Sequence, residues 1–229
     1  SFDMEDFERK VHDILSRQDS LLILLNSPAN NPTGYNLSEE EWEGAVNVLK
    51  KEALSGKSVI LLCDVAYIDF SGERNQCRTF FRCFSHLPPH LLVLTAYTMS
   101  KGFTLYGQRA GALICASSER KEADEFAEAC RCMSKCTWGS CNRAPMHVMR
   151  AICGDRKALR GLEEERAENR AMISRRANVF MEEAKAAGLY ILPYVGGFFI
   201  TVPVRQAQEI CSILEKRSIF LVPLPQGIR

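Results

Sequence analysis

Residues 3 to 17 set Phe7, Val11, Ile14 and Leu15 on one side of a helical pattern, and the apolar run Leu21 to Leu25 behind it reads as a buried strand. A second helix begins after Ser38, whose hydroxyl is placed to cap it, with Glu41 three residues on completing a capping box. Its apolar positions are Trp42, Ala45, Val46 and Leu49. Past Gly56 comes the run Ser58 to Cys63, and past Pro88-Pro89 the run Leu91 to Leu94. Each is continuously apolar, the pattern of a strand buried on both faces, and Ala110 to Cys115 makes one more strand. Strand and helix in repeated alternation predict an α/β layered domain whose ligand-binding groups gather at strand ends.

The second half changes character at Ser118. Glu122 to Met133 and Ala144 to Ile152 read as helices, and Asp155 to Ala187 as one long, charged, periodic helix stopped by Gly188. A helix of that length is able to bridge two domains. Short strands at Tyr190 to Leu192, Phe198 to Val202 and Ile219 to Val222, around a helix at Ala207 to Lys216, predict a small α+β unit. The expected division is a large domain over residues 1–168 and a small one over 169–229.

The chain has 229 residues, 46% hydrophobic and 25% charged, enough for a real core and against disorder. A net charge of +1 offers no concentrated basic face, so neither a nucleic acid nor a membrane surface is an expected partner. Ten scattered cysteines, with no secretory signal at the start, read as reduced thiols of a cytoplasmic protein. Cys130, Cys132, Cys136 and Cys141 cluster, but their spacing fits no zinc pattern and no metal is expected. His12, His86, His90 and His147 form no triad or metal pattern, and Gly196-Gly197-Phe198-Phe199 reads as mainly structural.

The polar landmarks lie where an α/β sheet would collect them. Asn31 in Asn31-Pro32-Thr33-Gly34 lies just beyond the first strand, Asp64 ends the second ahead of Tyr67, and Lys101 follows the third. Asn31-Pro32-Thr33-Gly34 alone would be a turn, and a lone loop lysine would be solvated. Together they suggest an amine able to form a Schiff base with the aldehyde of pyridoxal phosphate. On that reading Asp64 keeps the ring nitrogen protonated, Asn31 and Tyr67 donate to the ring phenolate oxygen, and Thr98, Ser100 and Arg109 hold the phosphate, Arg109 through its planar fork.

The set Asn30-Asn31-Pro32-Thr33-Gly34, Asp64-Val65-Ala66-Tyr67, Ser100-Lys101-Gly102-Phe103-Thr104-Leu105-Tyr106-Gly107-Gln108-Arg109-Ala110-Gly111 and Gly227-Ile228-Arg229 resembles the class I/II aminotransferases of fold type I, nearest the aspartate and aromatic branch. The resemblance implies a mostly parallel sheet with flanking helices, the pyridoxal-phosphate large domain, followed by a small α+β domain. It implies transamination between an L-amino acid and a 2-oxo acid such as 2-oxoglutarate, in a homodimer with shared active sites. Lys101 would carry the cofactor and move the substrate α-proton, and Arg229 would grip the α-carboxylate. Lys135, in Lys135-Cys136-Thr137-Trp138, stands where dicarboxylate-specific relatives have an arginine reaching across the dimer interface. Lysine supplies the charge without the fork, which leaves aromatic or mixed donors open. A β-lyase on the same scaffold and a non-catalytic cofactor-sensing domain are the alternatives. The family's preceding half-domain, with its phosphate-wrapping loop and ring-stacking aromatic, is not seen before the first strand, and members continue past Arg229. A partial chain, binding cofactor weakly or not at all by itself, is therefore the expectation.

Overall fold

The computed structural model describes all 229 residues, Ser1–Arg229. Helix α1 (Met4–Leu15) starts on Asp3, whose carboxylate accepts from the Asp6 amide, and buries Val11 and Leu15. Helix α2 (Glu39–Leu54) has the expected capping box: the Ser38 hydroxyl accepts from the Glu41 amide, and the Glu41 carboxylate accepts from the Ser38 amide. Strands β1 (Ser20–Asn26), β2 (Ser58–Asp64), β3 (Leu91–Thr98) and β4 (Gly111–Ala116) form one sheet in that order. The first three are parallel and β4 is antiparallel to β3. The register matches Asn26 with Asp64 and Asp64 with Ala96, so β1 and β2 end level and β3 runs two residues further.

The core lies against one face of this sheet. Trp42, Val46 and Leu49 of α2 pack with Val11 and Leu15 on Val59, Leu61 and Val93, and Trp42 stacks on Phe80 at 4.6 Å between centroids. Phe80 belongs to a 3-10 stretch, Gln76–Phe84, that the sequence pattern did not suggest. The expectation of burial on both faces holds for the middle of β3, where Val93, Leu94 and Thr95 are all buried, and is corrected for β2. In β2 burial alternates, with Val59, Leu61 and Cys63 buried and Ile60, Leu62 and Asp64 only half-buried. The helices cover one face, and on the other Leu22 and Leu24 of β1 are 62% and 60% exposed.

Helices α4 (Arg120–Thr137), α5 (Ala144–Gly154) and α6 (Arg156–Ala186) follow as expected, α6 capped by the Asp155 carboxylate. Gly188 takes the left-handed backbone (φ +67°) that stops α6. The C-terminal part keeps its helix, α7 (Ala207–Glu215), but the three expected strands do not form. In their place are a short antiparallel pair, β5 (Pro223–Leu224) with β6 (Gly227–Ile228), a single bridge between Val202 and Ile228, and a Leu192–Thr201 backbone hydrogen bond. The segments are too short and irregular to sustain a ladder. No helix is long and apolar enough to cross a membrane.

The C-terminal part is fastened to the loop after β1. The Gly34 carbonyl accepts from the Val195 and Gly196 amides at 2.8 and 3.0 Å, and the Thr201 hydroxyl donates to the Pro32 carbonyl at 2.7 Å. Gly34, at φ +74°, faces Tyr194 and Phe199 so closely that a Cβ there would lie 2.3 Å from the Tyr194 ring.

Candidate active site

Asp64 is the last residue of β2, and its carboxylate caps the following turn by accepting from the Ala66 amide at 3.0 Å. Three residues further on, the buried Tyr67 faces Phe198 and Phe199. Burial raises the Tyr67 phenol above its ordinary value, with Asp64 and Tyr106 adding to the rise, against the neighbouring Asn31 side chain and the Arg229 charge, which favour ionisation. Asn31, Asp64, Tyr106 and Arg229 are thus neighbours of the Tyr67 phenol. Asn31 is also gripped directly, since Arg229 donates to its side-chain oxygen at 2.6 Å, and the Arg229 guanidinium lies 4.3 Å from the Phe199 ring centre.

Lys101 was expected in a loop. It instead occupies a one-turn helix, α3 (Met99–Gly102), whose N-cap is Thr98: its hydroxyl accepts from the Ser100 amide at 3.1 Å and meets the Ser100 hydroxyl at 2.9 Å. Small hydroxylated residues favour this role because they satisfy amides that the helix start leaves free. The Lys101 amine stands 4.3 Å from the Tyr106 ring centre and 5.6 Å from that of Tyr67. Arg109, in the left-handed backbone region (φ 53°), turns its guanidinium back onto the same Tyr106, 5.4 Å from the ring centre, and donates to the Tyr106 carbonyl at 2.9 Å.

Lys101, Arg109, Arg229 and Asp64 thus share a neighbourhood with none of the four ion-paired to a carboxylate or a cation. Three cations against one carboxylate, with the Thr98 and Ser100 hydroxyls beside them, suit a ligand bearing a phosphate and a carboxylate. Lys135 is the exception among the sequence candidates. It is exposed on α4, bonded to none of these groups within the chain.

Tyr106 was not singled out from the sequence, although its place between Lys101 and Arg109 was a usable signal, because a ring there contacts both cations. The aromatic pair Phe198 and Phe199, read as structural, also borders the site. An apolar cavity of about 370 Å³ opens on the other flank of Arg229, between Ile173 and Phe180 of α6 and Ile200 and Leu221. Neither Lys101 nor Asp64 lines it.

The family of class I and II aminotransferases matches residues 1–226. The aromatic-amino-acid aminotransferase of Pseudomonas aeruginosa is 29% identical over 208 residues, 88% of this chain and 49% of that protein. The crystal structure of an aminotransferase from Anaerococcus prevotii superposes with a TM-score of 0.97 at 36% identity, over 100% of this chain and 56% of that one. An aromatic-amino-acid aminotransferase from Burkholderia pseudomallei, covalently bound to pyridoxal phosphate, shares the fold with a TM-score of 0.67 at 22% identity, over 82% of this chain and 46% of its own. The chain spans about half the length of these relatives. With one continuous match over residues 1–226, the chain belongs to the class I and II aminotransferase family.

Proposed function

We propose that the protein is a pyridoxal-phosphate-dependent aminotransferase that moves the α-amino group of an L-amino acid, of aspartate or aromatic type, to a 2-oxo acid such as 2-oxoglutarate. The observation that carries this reading is the Lys101 amine. It stands over the rings of Tyr106 and Tyr67 just beyond β3, in no ion pair, with the Arg109 guanidinium over the same Tyr106 ring. When bound, pyridoxal phosphate supplies an aldehyde that condenses with amines and a ring that accepts the electron pair released at the substrate Cα.

Each residue then has a defined task. Asp64 would hold a proton at the ring nitrogen. Asn31 and Tyr67 donate to the ring oxygen, and the raised Tyr67 phenol keeps its proton to donate with. Thr98, Ser100 and Arg109 bind phosphate, the last two-pronged. Arg229 receives the substrate α-carboxylate, held ready by Asn31 and Phe199. Lys101 would link the cofactor and move the proton at the substrate Cα. Lys135, from a neighbouring subunit of a homodimer, would meet an acidic substrate tail.

Residues 1–168 form the cofactor-binding part and 169–229 the substrate-closing part in this proposal, within a reducing cytoplasm where the ten unpaired cysteines stay thiols. The test is Lys101→Ala in the full-length natural protein. The visible absorbance of the lysine-linked cofactor and amino transfer should both disappear, and undiminished transfer by the variant would refute the reading. Pyruvate and ammonia from a β-substituted amino acid would mark elimination instead, and a panel of aspartate, tyrosine and alanine identifies the donor.

A further inference from the structure

Directly beneath the Lys101 turn lies a buried ionic knot that none of the roles above uses. Asp69 is 5% exposed and Arg166 7%. One Asp69 oxygen is held by Arg78 at 2.5 Å; the other accepts from the Tyr97 hydroxyl at 2.9 Å and lies 3.4 Å from the Arg166 guanidinium. Arg166 pairs with Glu163 at 2.8 Å, while Arg170, one turn along α6, donates to the Asp69 carbonyl at 3.1 Å. The remaining contacts of Arg166 point at the lysine. Its Nε donates to the Gly102 carbonyl at 2.7 Å, and its guanidinium lies 4.9 Å from the Phe103 ring centre.

Those two residues directly follow Lys101. Gly102 admits nothing larger, since a Cβ there would fall 1.9 Å from the Asp69 carboxylate and 3.0 Å from Arg166. Stability alone does not account for the knot. Buried ion pairs commonly stabilise no better than apolar residues of the same volume, and the buried Arg166 nitrogen that faces Asp69 at 3.4 Å makes an ion pair but no hydrogen bond. What the knot secures is geometry, by tying one helix to the backbone of the turn that aims the amine.

We propose that Arg166, anchored by Asp69 and Glu163, is a positioning residue for Lys101: by holding the Gly102 carbonyl and the Phe103 ring it fixes the direction in which helix α3 presents the lysine amine above Tyr106. The proposal rests on the reading of Lys101 as the cofactor-linking amine, and deepens it. Arg166 touches neither substrate nor cofactor. It acts through the backbone beside the lysine, so its loss should slow the chemical step and leave substrate binding alone.

The test uses Arg166→Lys and the milder Glu163→Gln in the full-length protein. In folded Arg166→Lys, kcat should fall about tenfold with KM within about twofold, because misplacing a reacting group penalises the chemical step. Glu163→Gln should give a smaller change of the same kind. In the cofactor-free protein, the resonance of 13C-methylated Lys101 should shift in both variants, and amide exchange at Phe103 and Thr104 should accelerate. An unmoved Lys101 resonance with unaltered kcat in the folded variants overturns the proposal. If Arg166→Lys does not fold, Glu163→Gln decides alone. Should wild-type protein form no covalent link to pyridoxal phosphate, the functional reading fails, while the cofactor-free resonance still reports whether Arg166 holds the lysine.

Discussion

Burial of Cys63, with no side-chain partner to offset it, pushes its thiol up to about 12 from an ordinary value of 9.0. A group that holds its proton more tightly when folded contributes stability that is fully present below the unfolded value and lost as pH rises through the folded one. The unfolding free energy should therefore decline from about pH 9 toward 12, and less steeply in Cys63→Ala than in wild type, measured by urea denaturation at stepped pH. A slope unaltered by the substitution would disprove this account. Single residues also show what the sequence could reveal. Asn31, Asp64 and Lys101 stood out because each follows or ends an apolar strand run, while Arg229 stood out only through the family resemblance. Arg166 did not, being one of many charges on a polar helix, and its partner Gly102 is 64 positions away. No local pattern records such a pairing.

Among the elements, α2 best shows local chemistry deciding local structure. Its capping box was legible from two residues, and both reciprocal hydrogen bonds form. Ser38→Ala should lower stability by about 1 kcal/mol, read as a shifted denaturation midpoint at constant m, and no shift would mean that packing of Trp42 alone sets the helix start. Long apolar or periodic segments were legible for the same reason: β1 to β4 and α4 to α6 each carry their signal within the segment. The C-terminal strands were not. Tyr190 to Leu192 and Ile219 to Val222 have the right residues, yet a strand exists only through its neighbour, and pairing partners are not written locally. Helix α3 was missed because four residues are too few for a period.

At the scale of the molecule, the adjoining ends of β2 and β3 gather Asp64 and the Lys101 turn, and the loop after β1 brings Asn31 to Arg229. The alternation of strands and helices made the first part of this arrangement foreseeable. The second depends on contact between segments more than a hundred positions apart, with Thr201 on Pro32 and Arg229 on Asn31. Helix α6 runs through residues 168 and 169, so the expected division of the chain falls inside a continuous rod.

The tight meeting of Gly34 with Tyr194 and Phe199 gives a methyl group at that position the action of a wedge. Gly34→Ala would have to prise the two segments apart by more than an ångström, since ordinary carbon contacts begin near 3.5 Å and the gap is 2.3 Å. The strained backbone adds about 1 kcal/mol to that cost. Because Phe199 also underlies Arg229, the disturbance should spread to the far end of the chain, weakening capture of a carboxylate such as maleate in equilibrium dialysis more than capture of inorganic phosphate. Equal losses for both anions would show the seam to be a fastening only. A glycine read from the sequence as part of a turn would then govern how the last residue of the chain reaches its target.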